Sequence, residues 1–130
     1  MDGYGKRVLV VDDDETTRML TGIVLEGAGY NVVLARDGFE ACHEVNRRHF
    51  DVIITDLFMP MLNGTELLGR IHAVHPRIPV ILLSGALDHN PDVIKAYAFF
   101  ACPQKPFAKQ GLLTLVRSAL ELHTTDESAA

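Results

Sequence analysis

The stretch Val8-Leu9-Val10-Val11-Asp12-Asp13-Asp14 joins four consecutive apolar residues to three acids. A strand that is apolar on successive residues has both faces covered, as happens inside a parallel sheet packed between helices. Blocks of the same kind occur at 31–35, 52–55 and 78–83. A weaker fifth block, 99–102, precedes Pro103. Because proline lacks the N–H that a strand ladder needs, this last strand is predicted at an edge of the sheet.

Segments with helical periodicity lie between and after these blocks. They are predicted at about 15–27, 38–48, 64–75, 91–98 and 107–122. In the first of them Asp14 is a predicted N-cap, and the apolar residues Met19, Leu20, Ile23 and Val24 recur at helical spacing. Five strand–helix units in alternation predict an α/β fold, a doubly wound five-stranded parallel sheet with helices on both faces.

Length and composition restrict the class of protein. A chain of 130 residues, 48% of them hydrophobic, is predicted to form one domain over 1–123 with a disordered tail at 124–130. Seventeen acidic against twelve basic residues give a net charge of -5, which disfavours direct binding to nucleic acid or to an anionic membrane. Neither a signal peptide nor an apolar run of roughly 18 residues is recognisable, so a cytoplasmic protein is expected.

Polar side chains follow the predicted strands where each strand ends. Asp12, Asp13 and Asp14 follow the first strand; Asp56, Ser84 and Lys105 follow the third, fourth and fifth. Ligands of doubly wound sheets bind beyond the carboxyl ends of the strands, so these groups are predicted to share one site. Clustered carboxylates repel one another unless they share a cation, and an oxygen-only ligand set suits Mg²⁺. A hydroxyl and an ammonium beside it would complement phosphoryl oxygens.

Four motifs carry a resemblance to a known family. They are Val10-Val-Asp-Asp13, Asp56-Leu-Phe-Met-Pro-Met-Leu-Asn-Gly64, Leu82-Leu-Ser-Gly-Ala86 and Lys105-Pro-Phe107. In this order and spacing they resemble the receiver domain of two-component response regulators, and the resemblance covers the chain from about Lys6 to His123. The resemblance implies a flavodoxin-like strand order, 2-1-3-4-5.

The resemblance also implies a role for each residue of the site. Asp56 would be the phosphoacceptor, and Ser84 and Lys105 would contact the phosphoryl group. Asp12, Asp13, Asp56 and the backbone carbonyl of Phe58 would hold Mg²⁺, with Mn²⁺ as a substitute. Such a domain is a phosphorylation-dependent switch and not a turnover enzyme, because it catalyses only its own phosphorylation and dephosphorylation.

The partners implied by the resemblance are other proteins. The phosphodonor would be a sensor histidine kinase or a histidine phosphotransfer protein, and the output would pass to a downstream protein or an output domain. Dimerisation would use the fourth helix, the fifth strand and the fifth helix. The chain departs from the family at Cys102, where receiver domains usually carry Tyr or Phe.

Two other interpretations remain open. A haloacid-dehalogenase-type phosphatase would use Asp12 as nucleophile and Asp14 as acid–base residue, but it needs a further acidic motif after Lys105, and 106–123 contains only Glu121. A receiver-like binding module that is never phosphorylated is the second, and Cys102 is the feature that favours it.

Overall fold

A five-stranded parallel sheet forms the centre of the molecule. The computed structural model describes residues 5–56, 64–75, 77–83, 100–102 and 109–129. The strands are β1 (Arg7–Val11), β2 (Asn31–Ala35), β3 (Val52–Asp56), β4 (Val80–Leu83) and β5 (Phe100–Cys102). Their order is β2-β1-β3-β4-β5 and every pairing is parallel. The expected strand order and the edge position of β5 are both confirmed.

Helices connect and follow the strands. They are α1 (Glu15–Gly27), α2 (Gly38–Arg47), α3 (Gly64–Val74) and a final segment, Lys109–Ala129, called here the last helix. The helix predicted at 91–98 lies outside the described residues. The last helix continues through 124–129, which the sequence predicts as a disordered tail. No glycine or proline follows Gly111 to end a helix earlier.

Successive residues of the central strands face two separate hydrophobic clusters. On one face, Leu9 and Val11 pack with residues of α2 and α3, which contribute Ala41, Val45, Leu67 and Ile71. On the other face, Val8 and Val10 pack with residues of α1 and the last helix, which contribute Leu25, Leu112, Val116 and Ala119. Because side chains alternate along a strand, this arrangement requires helices on both faces of the sheet, as predicted.

Three of the four apolar residues that marked α1 in the sequence do not face the core, whereas Val24 is partly buried and packs against the cluster that contains Leu25. Met19, Leu20 and Ile23 are 50%, 57% and 62% exposed. The buried residues of α1 are Thr21, Gly22 and Leu25. A Cβ on Gly22 would lie 3.2 Å from Leu34 Cδ2, so α1 approaches the side chains of β2 closely at this residue. The predicted bounds of α1 are confirmed, but three of the four apolar residues that recur at helical spacing lie on its solvent-exposed side.

No helix in the part of the chain that the structure describes has the length and apolar character needed to cross a membrane.

Candidate functional site

The register of the sheet brings two of the predicted site residues, Asp12 and Asp56, to one edge. Val11 of β1 pairs with Thr55 of β3, so Asp12 leaves β1 at the level where β3 ends in Asp56. Asp56 in turn pairs with Leu83, the residue before Ser84. Leu83 pairs with Cys102, three residues before Lys105. Neighbouring strands are about 4.8 Å apart, so the ends of β1, β3, β4 and β5 lie next to one another in that order.

Asp12 is held firmly and is buried, with only 1% of its surface exposed. Its N–H donates to the carbonyl of Ala35 on β2 at 3.1 Å. Its Oδ1 accepts a hydrogen bond of 2.9 Å from the N–H of Asp14. Its carbonyl oxygen accepts a hydrogen bond of 2.8 Å from Arg18 Nη1. The backbone and one carboxylate oxygen of Asp12 are therefore all fixed by protein donors or acceptors.

The next two acids have different surroundings. Asp13 is exposed. Asp14 is the N-cap of α1, as predicted, and its Oδ2 accepts a 2.8 Å hydrogen bond from the N–H of Thr17 and a second bond from the Thr17 hydroxyl. Of the three consecutive acids, Asp12 is therefore buried, Asp13 is exposed and Asp14 caps the N-terminus of α1. Only Asp12 and Asp13 remain as candidates to hold an ion.

The donor set fits a hard divalent cation such as Mg²⁺. Burying a carboxylate such as Asp12 is costly without compensating partners, and a cation shared with Asp13 would provide one. Among the side chains that the structure describes, no group of three His, Cys, Asp or Glu could hold a metal. The main chain brings Asp56 to the level adjacent to Asp12. Phe58, Ser84 and Lys105 lie outside the described residues.

Other features of the structure were not anticipated from the sequence. Arg18 donates a hydrogen bond to the carbonyl of Asp12. In the sequence, the only indication of this contact is that Arg18 lies four residues, or about one helical turn, after Asp14. A groove between α2 and α3 contains a cavity of about 210 Å³ beside Cys42 and Arg70. Burial raises the pKa of the Cys42 thiol, and the Arg70 guanidinium partly opposes this rise.

Taken together, a parallel sheet in this order with helices on both faces defines a doubly wound α/β domain, a class of fold whose ligands bind at the carboxyl edge of the sheet. Residues 8–117 match the response regulator receiver domain. The chain belongs to this family. It is a receiver domain of two-component response regulators, a class of phosphorylation-dependent signalling switch that generally uses Mg²⁺.

Individual relatives agree with this assignment. The chain is 37% identical over 116 residues to the transcriptional regulatory protein GlrR of Escherichia coli, covering 88% of this chain but 26% of that protein. It is 33% identical over 125 residues to the response regulator MprA of Mycobacterium leprae, covering 95% of this chain and 54% of that protein. The solved structure of the Vibrio cholerae chemotaxis protein CheY4 matches with a TM-score of 0.82 and 31% identity, over 89% of this chain and 99% of that one. The chain thus spans about a quarter to a half of these curated relatives.

Proposed function

We propose that Asp56 accepts a phosphoryl group and that Asp12 and Asp13 hold a divalent cation beside it. The cation is Mg²⁺, with Mn²⁺ as a substitute, and its further ligands are Asp56 and the backbone carbonyl of Phe58. The observation that carries the proposal is the register of β1 against β3, which aligns Asp12 with Asp56 at the carboxyl edge. The buried and fixed state of Asp12 supports a ligand role, since a side chain held in place is a preorganised donor.

The chemistry asks little of the protein beyond positioning and charge. A carboxylate oxygen of Asp56 attacks the phosphorus in line, the bond between phosphorus and the donor nitrogen breaks, and the nitrogen keeps the electron pair. A cation held by Asp12 and Asp13 would supply positive charge beside the phosphoryl oxygens, and Ser84 and Lys105 would donate hydrogen bonds to them. Water later releases inorganic phosphate and restores the carboxylate of Asp56. The domain is therefore no turnover enzyme, because it acts only on its own acyl phosphate.

The outward face of α1 is a suitable place for the phosphodonor. Met19, Leu20 and Ile23 form an exposed apolar face on the helix that begins directly after Asp13 and Asp14. Large exposed apolar side chains grouped in this way are typical of protein-binding surfaces. A sensor histidine kinase or a histidine phosphotransfer protein docked on this face would present its phosphohistidine beside the acids.

The output is proposed to run through protein contacts as well. The receiving partner is a downstream protein or an output domain, reached by a surface of the segment 91–98, β5 and the last helix, through which the domain also dimerises. Neither nucleic acid nor membrane is a direct partner, and the protein works in the cytoplasm. Cys102 lies at the end of β5, where receiver domains usually carry Tyr or Phe. The signal must therefore reach this surface without a rotamer change of an aromatic side chain.

The phosphatase interpretation is disfavoured by the state of Asp14. An acid–base residue has to exchange a proton with the substrate, whereas Asp14 accepts hydrogen bonds from the backbone N–H and the hydroxyl of Thr17. Using Asp14 as an acid would give up the helix cap, which stabilises α1 by about 1 kcal/mol. Labelling by a small phosphodonor distinguishes the proposed function from a binding module that is never phosphorylated.

The test is labelling by a small phosphodonor. With Mg²⁺ and acetyl phosphate, intact-mass measurement should show one added phosphoryl group on the wild type and none on Asp56→Asn. Glu26→Gln, which removes one acid from an exposed position at the far end of α1, should label normally. Labelling of Asp56→Asn together with its loss in Asp12→Asn and Asp14→Asn would favour the phosphatase. A folded wild type that binds Mg²⁺ but takes no label would favour the binding module.

A further inference from the structure

Arg18 links the first helix to the acids of the site. Its Nη1 donates a 2.8 Å hydrogen bond to the carbonyl oxygen of Asp12, while its own N–H donates a 2.9 Å bond to the carbonyl of Asp14. The side chain is half-buried. One residue of α1 is thus bonded to the backbone on both sides of Asp13. Asp13 itself is exposed and lies between two fixed neighbours.

We propose that Arg18 is a positioning residue for the metal pair, and this inference rests on the proposed role of Asp12 and Asp13. The carbonyl of Asp12 belongs to the peptide unit that leads into Asp13, and a peptide unit is planar. Fixing that oxygen therefore fixes the direction in which the chain enters Asp13. Since Asp12 is also held through its N–H and Oδ1, the bond from Arg18 completes the orientation of the two acids relative to each other.

The charge of Arg18 and its hydrogen bond have opposite effects on a bound cation. A guanidinium is always protonated, so its positive charge near the acids opposes the approach of a divalent ion. If charge were the whole contribution of Arg18, removing it would tighten Mg²⁺ binding. If positioning dominates, removing it loosens the ligand pair and weakens Mg²⁺ binding. The sign of the change therefore distinguishes the two roles.

The experiment compares Mg²⁺ affinity in three variants of the 130-residue chain and the wild type by isothermal titration calorimetry. Arg18→Met keeps the aliphatic stem and loses the donor, and its dissociation constant should rise roughly tenfold, the usual size of an effect on metal ligands exerted through their supporting hydrogen bonds. Arg18→Lys, which can still donate to the carbonyl, should remain within about threefold of the wild type on the same basis. Arg47→Met is the matched control, because Arg47 pairs with Glu44 on α2, and it should bind Mg²⁺ like the wild type.

The possible results separate this inference from the proposed function. Unchanged or tighter binding in Arg18→Met, with normal binding in the wild type, overturns the positioning role alone. Absence of Mg²⁺ binding in the folded wild type overturns both proposals. Should Arg18→Met not fold, Arg18→Gln replaces it: its side chain is too short to reach the carbonyl in the same way, so weaker binding than in Arg18→Lys is expected. Equal binding of Arg18→Gln and Arg18→Lys would then overturn the positioning role.

Discussion

Removing the charge of Asp13 should stabilise the metal-free protein and weaken its response to Mg²⁺. Asp13 follows Asp12 directly, and Asp56 ends the adjacent strand, so we take about 6 Å between charges from the strand spacing. Two like charges at that distance repel by roughly 3 kcal/mol at an effective dielectric constant of 20 and by roughly 0.7 kcal/mol in water. Since Asp13 is exposed, we use a value near the lower end, about 1 kcal/mol. For a domain of this size, that corresponds to about 4 °C in melting temperature.

Magnesium should remove this difference in stability between Asp13→Asn and the wild type, because it binds only the folded state. At a concentration ten times the dissociation constant, the wild type gains about 1.4 kcal/mol. If Asp13→Asn binds tenfold more weakly, it gains about 0.4 kcal/mol at the same concentration. The advantage of the variant in chelator should therefore shrink to about zero in Mg²⁺.

The assay is urea unfolding at several Mg²⁺ concentrations, starting from protein treated with chelator. Glu26→Gln is the control, because it removes the same charge from an exposed position at the far end of α1. Its unfolding free energy should follow that of the wild type at each Mg²⁺ concentration. The reasoning is refuted if Asp13→Asn gains as much from Mg²⁺ as the wild type, or if Glu26→Gln reproduces the behaviour of Asp13→Asn.

Two further predictions concern α1. Gly22→Ala gains helix propensity, up to about 1 kcal/mol, but its Cβ meets the tip of Leu34, which is 39% exposed and able to turn away. We expect Gly22→Ala to raise the unfolding free energy by about half as much as Gly27→Ala, where an added Cβ has nothing within 4 Å. If urea unfolding shows that Gly22→Ala is less stable than the wild type, Leu34 cannot move away. The double change Leu20→Ser and Ile23→Ser should alter stability by about 0.5 kcal/mol or less per site and leave acetyl phosphate labelling unchanged, because both side chains are exposed. Phosphotransfer from a phosphorylated histidine protein should slow, and an unchanged rate would contradict docking on α1.

The strands and the first three helices could be predicted closely from the sequence. Strands apolar on both faces are short and bounded by polar residues, so β1, β2 and β3 were located to within one residue. β4 begins two residues later than predicted, at Val80. The reason is that Pro79 has no backbone N–H to donate to the neighbouring strand, although its carbonyl accepts a 3.1 Å hydrogen bond from the N–H of Ile53.

The orientation of α1 could not be predicted from apolar periodicity. Met19, Leu20 and Ile23 identify a helix, but they lie on its solvent side. The face that packs against the sheet contains Gly22, which has no side chain to signal burial, and Thr21, whose hydroxyl is satisfied by the carbonyl of Thr17 at 2.7 Å. Close approach of a helix to a strand is a geometric property, and hydrophobicity does not report it. The same holds for Arg18, whose partner is a backbone carbonyl and not a side chain.

The alignment of Asp12 with Asp56 is set at the opposite end of their strands. Directly before β3, the N–H of Asp51 donates to the carbonyl of Arg7, and the carboxylate of Asp51 accepts from the N–H of Arg7, each at 2.8 Å. This pair of bonds fixes the register of β3 against β1, and four paired residues carry it from Val8 to Val11. A slip of one residue would turn the side chains of β3 to the other face and separate the two acids. The main chain therefore holds residues 12 and 56 level, so in the proposed function the alignment of the site would not depend on its cation.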